Sequence, residues 1–330
     1  MGIRRMRGTA LLLAVVTLGF AAACSSTGSR AEASRVEKPD LTVAVVPAVD
    51  SAGFFVALYE GLFKAQGLNV KFVPAISSET AIANQVSGQY DITCGNYVSY
   101  IQAQQSHQAD LYILAEGSTL QPGVVSIYTR PGSPIRTVEE LKGRTIAINA
   151  PKNILYLLAA STLAEHGVSL ADVHFTVAKN GFPAMPAELT ADAFDAAVIA
   201  EPFGSVAEEA AGAVPLADLN EGATAGFPIE GYAVTKQWAR KYPRTLAAFY
   251  KALEEGQEIA GTNRAVLETS LEHLLGLSRQ TTAIMSASAF PVGSGPVGTV
   301  DKIRLQRVVN LMQQFIGFPA FNIDSMLMRG

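Results

Sequence analysis

Residues 195–203 read Asp-Ala-Ala-Val-Ile-Ala-Glu-Pro-Phe, and they restrict what this chain can fold into more than any other stretch. The apolar run Ala196–Ala200 has the length of a buried strand. It stops at Glu201-Pro202, because proline has no N–H with which to continue a central ladder. The chain then opens into a loop that offers one carboxylate, Glu201, and one aromatic ring, Phe203. In open α/β sheets, ligands bind beyond the carboxyl ends of the strands. The same design stands earlier at Asp91–Tyr97, which ends in Gly95-Asn96.

Working backward from each stretch gives the same five elements twice. Leu41–Pro47, Phe54–Gly67, Asn69–Pro74, Glu79–Ser87 and Asp91–Tyr97 read as strand, helix, strand, helix, strand. Arg144–Ala150, Ile154–Gly167, Val173–Ala178, Ala184–Thr190 and Asp195–Phe203 read alike. Alternating strands and helices imply βαβ units and parallel sheets. The duplication predicts two α/β lobes whose strand ends face one cleft. Further strands are expected at Leu111–Glu116 and Gly123–Tyr128, and a short helix at Val138–Leu141. Helical periodicity then runs from Trp238 to about Asn263, with further helices through Met312.

The N-terminus reads as an address. Arg4, Arg5 and Arg7 precede the apolar run Ala10–Phe20, and Ala21-Ala22-Ala23-Cys24 follows. This is the layout of a secretory signal with a small-residue cleavage site. The run is short of the roughly 20 residues a membrane span needs. A cysteine after three alanines resembles the lipobox of bacterial lipoproteins, which implies cleavage before Cys24 and lipid on its thiol. The competing reading is an ordinary signal with an incidental cysteine. Residues 1–23 are thus the expected signal peptide, and residues 24–38 a flexible tether poor in large apolar side chains.

Losing residues 1–23 removes three arginines and no acid. The net charge moves from −4 to −7, with 22 basic against 29 acidic side chains. There is no basic run, which excludes a nucleic-acid binder from the expectations. Only Cys24 and Cys94 are present, so an acylated Cys24 leaves no disulfide. Cys94 reads as a packed residue, since no histidine or base lies near it in sequence. The four histidines are scattered without metal-ligand spacing, and no metal or other cofactor is expected. Gly293–Gly298 matches G-x-G-x-x-G, but it contains Pro296, lies among helices and has no βαβ context, so it reads as a loop.

Several polar turns sit at the predicted strand ends. Asp50-Ser51 and Ser77-Ser78 precede helices and read first as N-caps, with N–H groups that also suit an anion. Asn96 offers a donor and an acceptor, and Ser118-Thr119 forms the polar mouth of the fourth strand. Asn149–Asn153 joins a strand to a helix, and Lys152 there reads as a solvated lysine or a cleft cation.

These pieces, in order, resemble a known family. They are Gly61-Leu62-Phe63 with Gly67–Val70, Ser87–Asp91, Gly95-Asn96-Tyr97, Leu141–Ala147, Phe182–Ala187, and Phe194–Ala197 with Glu201-Pro202-Phe203. The chain is similar to the substrate-binding proteins of ABC importers for nitrate, alkanesulfonates, taurine and thiamine-pyrimidine precursors, over nearly all of Leu41–Leu327. The resemblance implies a type II periplasmic-binding-protein fold, two α/β lobes joined by two hinge strands. It places residues 39–124 in the first lobe and 125–230 in the second. Residues 231–330 then return to the first lobe as a strand and C-terminal helices.

By position, the resemblance lines the pocket with Asp50, Ser51, Ser77, Ser78, Asn96, Tyr97, Thr119, Asn149, Asn153, Met185 and Glu201. A carboxylate in a closed cleft calls for a positive partner. Glu201 therefore points to an amino-bearing solute, taurine-like or aminopyrimidine-like, rather than nitrate; a structural role in a hinge salt bridge or helix cap is the alternative. The expected role is a monomeric, non-enzymatic lipoprotein on the outer face of the cell membrane, delivering a small polar organic solute to an ABC permease. The alternatives are a solute sensor for a membrane receptor and a pyrimidine-synthase-like enzyme. The latter's pocket histidine and cysteine cluster are not recognisable here.

Overall fold

The computed structural model describes residues 36–48, 51–288 and 300–328. The expected signal peptide, Cys24, most of the tether, Asp50 and the Gly293–Gly298 loop lie outside the described residues.

The chain builds two five-stranded sheets. The first begins with β1 (Asp40–Val45), β2 (Asn69–Pro74), β3 (Ile92–Asn96) and β4 (Leu111–Thr119). The second takes β5 (Val125–Thr129), β6 (Thr145–Ile148), β7 (His174–Val177), β8 (Ala196–Ala200) and β9 (Val214–Asp218). The chain then returns to the first sheet as β10 (Pro228–Thr235). The strand orders are β2-β1-β3-β10-β4 and β7-β6-β8-β5-β9, so the sheets correspond position by position. Four strands of each sheet run the same way, and the one antiparallel strand of each, β10 or β5, is the strand that follows a crossing between the sheets.

Strand placement follows composition. The runs Ile92–Asn96, Ala196–Ala200 and Val125–Thr129 are buried along their whole length and sit inside the sheets. The more polar β2 and β7 lie at edges. The two crossings touch each other: Leu120 N donates to Phe227 O at 2.7 Å, and Thr119 pairs with Pro228. They form the two-stranded hinge of a type II periplasmic-binding fold.

One device recurs in both sheets. The Asp91 carboxylate accepts from Thr42 N at 2.9 Å, and Asp91 N donates to Thr42 O. The Asp195 carboxylate accepts from Thr145 N at 2.9 Å, and Asp195 N donates to Thr145 O. Each aspartate ties the start of the third strand of its unit to the first, and each meets a cation, Lys38 or Arg144.

The helices are α1 (Ala52–Tyr59), α2 (Leu62–Ala65), α3 (Ser78–Val86), α4 (Tyr97–Gln105), α5 (Ile154–Glu165), α6 (Met185–Thr190) and α7 (Phe203–Ala211). They continue with α8 (Lys236–Lys241), α9 (Pro243–Thr262), α10 (Arg264–Leu275), α11 (Arg279–Ser288) and α12 (Lys302–Ile316). Two expectations need correction, while the short helix expected at Val138–Leu141 is present. The helix expected over Phe54–Gly67 is broken at Gly61, whose φ of 74° is left-handed. The helix expected from Trp238 is two helices, because Pro243 cannot continue the first and instead opens the second. Val138–Leu141 is a 3₁₀ turn held by a Thr137–Glu140 capping box. Helix α12 packs against α4 and α5, and Arg307 donates to the carbonyls of Ala223 and Ala225, so the C-terminal helix touches both lobes.

Candidate functional site

The carboxyl ends of the parallel strands of both sheets converge on one gap. Ser78, Asn96 and Glu230 line it from the first sheet; Asn149, Leu155 and Phe182 line it from the second. Its remaining walls are apolar: Val46, Ala48, Val125, Ile154, Ala200 and Ile229.

Local capping fixes most of the polar groups. Asn96 ends β3 and caps α4, its Oδ1 accepting from Ser99 N and Ser99 Oγ, each at 2.9 Å. Its amide nitrogen donates to Ser78 Oγ at 3.0 Å, and its backbone N–H donates to the same oxygen at 2.9 Å. Gly95 permits this approach, because a Cβ there would lie 2.7 Å from Ser78 Oγ. Across the gap, Asn153 caps α5 by accepting from Tyr156 N at 3.4 Å. Its amide donates to Asn149 Oδ1 at 2.7 Å. Phe182 is backed by Phe203, with ring centroids 5.8 Å apart and nearly parallel.

Glu230 stands on β10, in register with Asn96 of β3. Its Oε1 accepts from Ser51 Oγ at 2.9 Å and Cys94 Sγ at 3.1 Å. Burial, and then the Glu230 charge, push the Cys94 thiol well above its ordinary range, so it stays protonated as a donor. That is the inert, packed cysteine the sequence predicts.

Of the predicted pocket residues, Ser78, Asn96 and Asn149 line the gap. Ser51 and Asn153 stand one hydrogen bond behind it. Ser77 caps α3, its Oγ accepting from Thr80 N at 3.3 Å. Thr119 lies at the hinge, where Gln121 Nε2 donates to its Oγ1. Neither of these two lines the gap, and three further residues stand away from it. Tyr97 is buried in the first lobe, its hydroxyl against Gly231, and desolvation pushes its pKa well up. Met185 is buried in α6 within the apolar core.

Glu201 is the third and the main correction. It lines a separate hollow of about 650 Å³ with Tyr128, Glu208, Glu209 and Gln280. Its Oε2 accepts from Ser205 N at 3.2 Å in the first turn of α7, whose N–H groups draw a carboxylate back onto the helix. Desolvation, with Glu208 and Glu209 nearby, raises its pKa. The carboxylate of the gap is Glu230, which is not among the residues expected there. The alternation Ile229, Glu230, Gly231, Tyr232 was the available signal, but only the strand's pairing says which face meets the gap.

The gap encloses about 40 Å³. That is far below the sites on the order of 300 Å³ or more that organic solutes occupy. Admitting such a solute requires the two lobes to part. The two sheets' units also touch at an exposed bond, where Gln102 Nε2 donates to the Lys152 carbonyl at 3.0 Å. Another hollow, of about 800 Å³, lies at the opposite strand ends beside Trp238 and Tyr242. It is not where ligands meet an α/β sheet, and the smaller gap is the better candidate. Among the described residues, no group of three or more His, Cys, Asp or Glu is placed to hold a metal ion. No helix among them is long and apolar enough to cross a membrane.

Twin sheets with one hinge and one polar gap between them define a bilobed binding protein. The chain matches the profile of the NMT1/THI5-like family over residues 48–263, more than half its length, and belongs to that family. No curated protein matches the sequence. Among solved structures, the alkanesulfonate-binding protein SsuA from Xanthomonas axonopodis pv. citri superposes with a TM-score of 0.73 at 18% identity. That match covers 87% of this chain and 96% of the other. The nitrate-binding protein NrtA from Synechocystis PCC 6803 gives 0.72 at 14% identity, covering 88% and 85%. A ligand-binding component of an ABC-type import system from Staphylococcus aureus, with zinc bound, gives 0.76 at 15% identity, covering 88% and 97%.

Proposed function

We propose that this protein is the solute-binding component of an ABC importer, exported and held to the outer face of the cell membrane through lipid on Cys24. Its lobes, one built on each sheet, part to admit a small polar organic solute and close on it. The bound form then docks on a membrane permease, and no chemistry is done on the solute. The observation that carries the reading is the convergence of Ser78, Asn96, Glu230 and Asn149 from two matching sheets on one hinged gap. Family membership and the binding roles of the similar structures support it. Closure is a population shift toward the form that the solute binds more tightly.

The test is a thermal-shift screen of the soluble chain against alkanesulfonates, taurine, aminopyrimidines, nitrate and riboflavin. A solute at a hundred times its Kd stabilises by about 2.7 kcal/mol, which raises the melting temperature on the order of 5 °C in a protein of this size. A saturable rise with one chemical class is expected. A flat response across the screen contradicts the reading.

A further inference from the structure

Helix α12 is fastened to the first sheet at its start. Asp301 N donates to Glu116 Oε1 at 2.7 Å, and Arg304 Nε lies 3.9 Å from Glu116 Oε2. Glu116 stands on β4 and is buried. Three residues further along the helix, Arg307 reaches the other way. Its Nη2 donates to Ala223 O and to Ala225 O, each at 3.0 Å, and its Nη1 donates to Gly226 O at 3.4 Å. Its guanidinium carbon also lies 5.4 Å from the centre of the Phe227 ring. The gripped segment is tied to the second sheet's unit. Ala223 N donates to Glu165 Oε1 of α5 at 2.9 Å. Thr224 Oγ1 donates to Leu219 O at 2.6 Å, and Leu219 N donates to Val125 O of β5 at 2.9 Å. A cation of α12 thus holds residues 223–226 from one side, and a carboxylate of α5 holds them from the other.

We propose that Arg307 is a latch: it holds the two lobes together without solute, and its release is a step of opening. The inference rests on the solute-binding reading, in which the lobes part, and adds what sets the balance between closed and open. The crossings pair at Leu120 and Phe227. A rotation there carries α12 with the first sheet and residues 223–226 with the second, and Arg307 spans the two. A charged donor makes stronger hydrogen bonds than a neutral one, and a guanidinium presents its N–H groups in a rigid fork. Carbonyls turned toward one such fork are held only while the geometry lasts. Removing the fork takes stabilisation from the closed form alone and shifts the population toward the open one.

The test is small-angle X-ray scattering of the soluble chain without solute, well below its melting temperature. It compares wild type with Arg307→Met, Arg307→Lys and Glu165→Ala. Arg307→Met keeps an apolar stem beside Phe227 and removes the donors. Glu165→Ala frees the segment from α5 at an exposed position and leaves Arg307 in place. Wild type is expected to be as compact as the closed structure. Arg307→Met and Glu165→Ala should both shift to a larger radius of gyration. Arg307→Lys, which keeps a charged donor, should fall between Arg307→Met and wild type, a rescue that mere loosening of the fold would not give. Should Arg307→Met fail to fold, Glu165→Ala decides the matter. If wild type already scatters as an open form, or a folded Arg307→Met or Glu165→Ala is as compact as wild type, the latch is overturned. The solute-binding reading then stands, because a saturable thermal shift does not depend on the latch.

Discussion

Glu201 and Glu230 are 3% and 4% exposed and face different hollows. Their surroundings give them opposite duties. Glu230 meets hydroxyl and thiol donors beside the gap, whereas Glu201 meets Ser205 N and two further glutamates. Desolvation raises the Glu201 pKa above its unfolded value near 4.3. A carboxyl raised on folding favours the native state below the unfolded pKa, and that contribution is lost as pH rises through the folded pKa. Glu201→Gln, which keeps an acceptor for Ser205 N, should therefore be neutral at pH 4 and raise the melting temperature at pH 8. It should leave solute affinity within twofold of wild type. A variant less stable at pH 8 than wild type, or one that loses the solute, contradicts this placement. The same pair shows what a sequence reveals at this scale. Asp91 and Asp195 were legible as the starts of matching stretches, and both prove to tie two strands together. The direction of Glu201 was not legible. A carboxylate next to a helix start can reach outward to a ligand or back to its own N–H groups, and only packing against Tyr128 and Gly204 decides.

At the scale of elements, both copies of the five-element unit were readable because apolar runs and glycine or proline punctuation are local signals. What tertiary contact decides was not readable. Helix α1 lies against α9 through two glycines. A Cβ on Gly256 would meet Gly53 O at 2.4 Å and Ala57 Cβ at 2.6 Å, and a Cβ on Gly53 would meet Gln257 Cγ at 2.4 Å. Alanine in a helix interior gains about 0.5–1 kcal/mol over glycine from backbone entropy. Overpacking at a backbone contact costs about 1–3 kcal/mol. The second effect wins here, so Gly256→Ala should destabilise by about 1–2 kcal/mol in a urea melt. A neutral or stabilising result would show that the helices sit farther apart. The separation also bears on Gln257, whose amide donates to Glu116 O at 2.7 Å and holds α9 to the first sheet beside the hinge.

For the whole molecule, the two sheets with matching strand order make the gap a property of the fold, and the paired crossings are where the proposed opening would bend. β4 and β10 end together where Thr119 pairs with Pro228, so the lobes are joined by short paired segments. Helix α12 adds a third link, because it packs on α4 and α5 and reaches the carbonyls of Ala223 and Ala225. Opening must carry or slide that helix, and the bilobed plan read from the sequence did not contain this constraint. The most direct test is a crystal structure of the chain with the solute that gives the largest thermal shift. The account predicts that solute between the lobes, in contact with Ser78 and Asn96 on one side and Asn149 on the other, in a gap wider than 40 Å³. A solute bound instead in the groove beside Trp238 and Tyr242, with the gap unchanged, would contradict it.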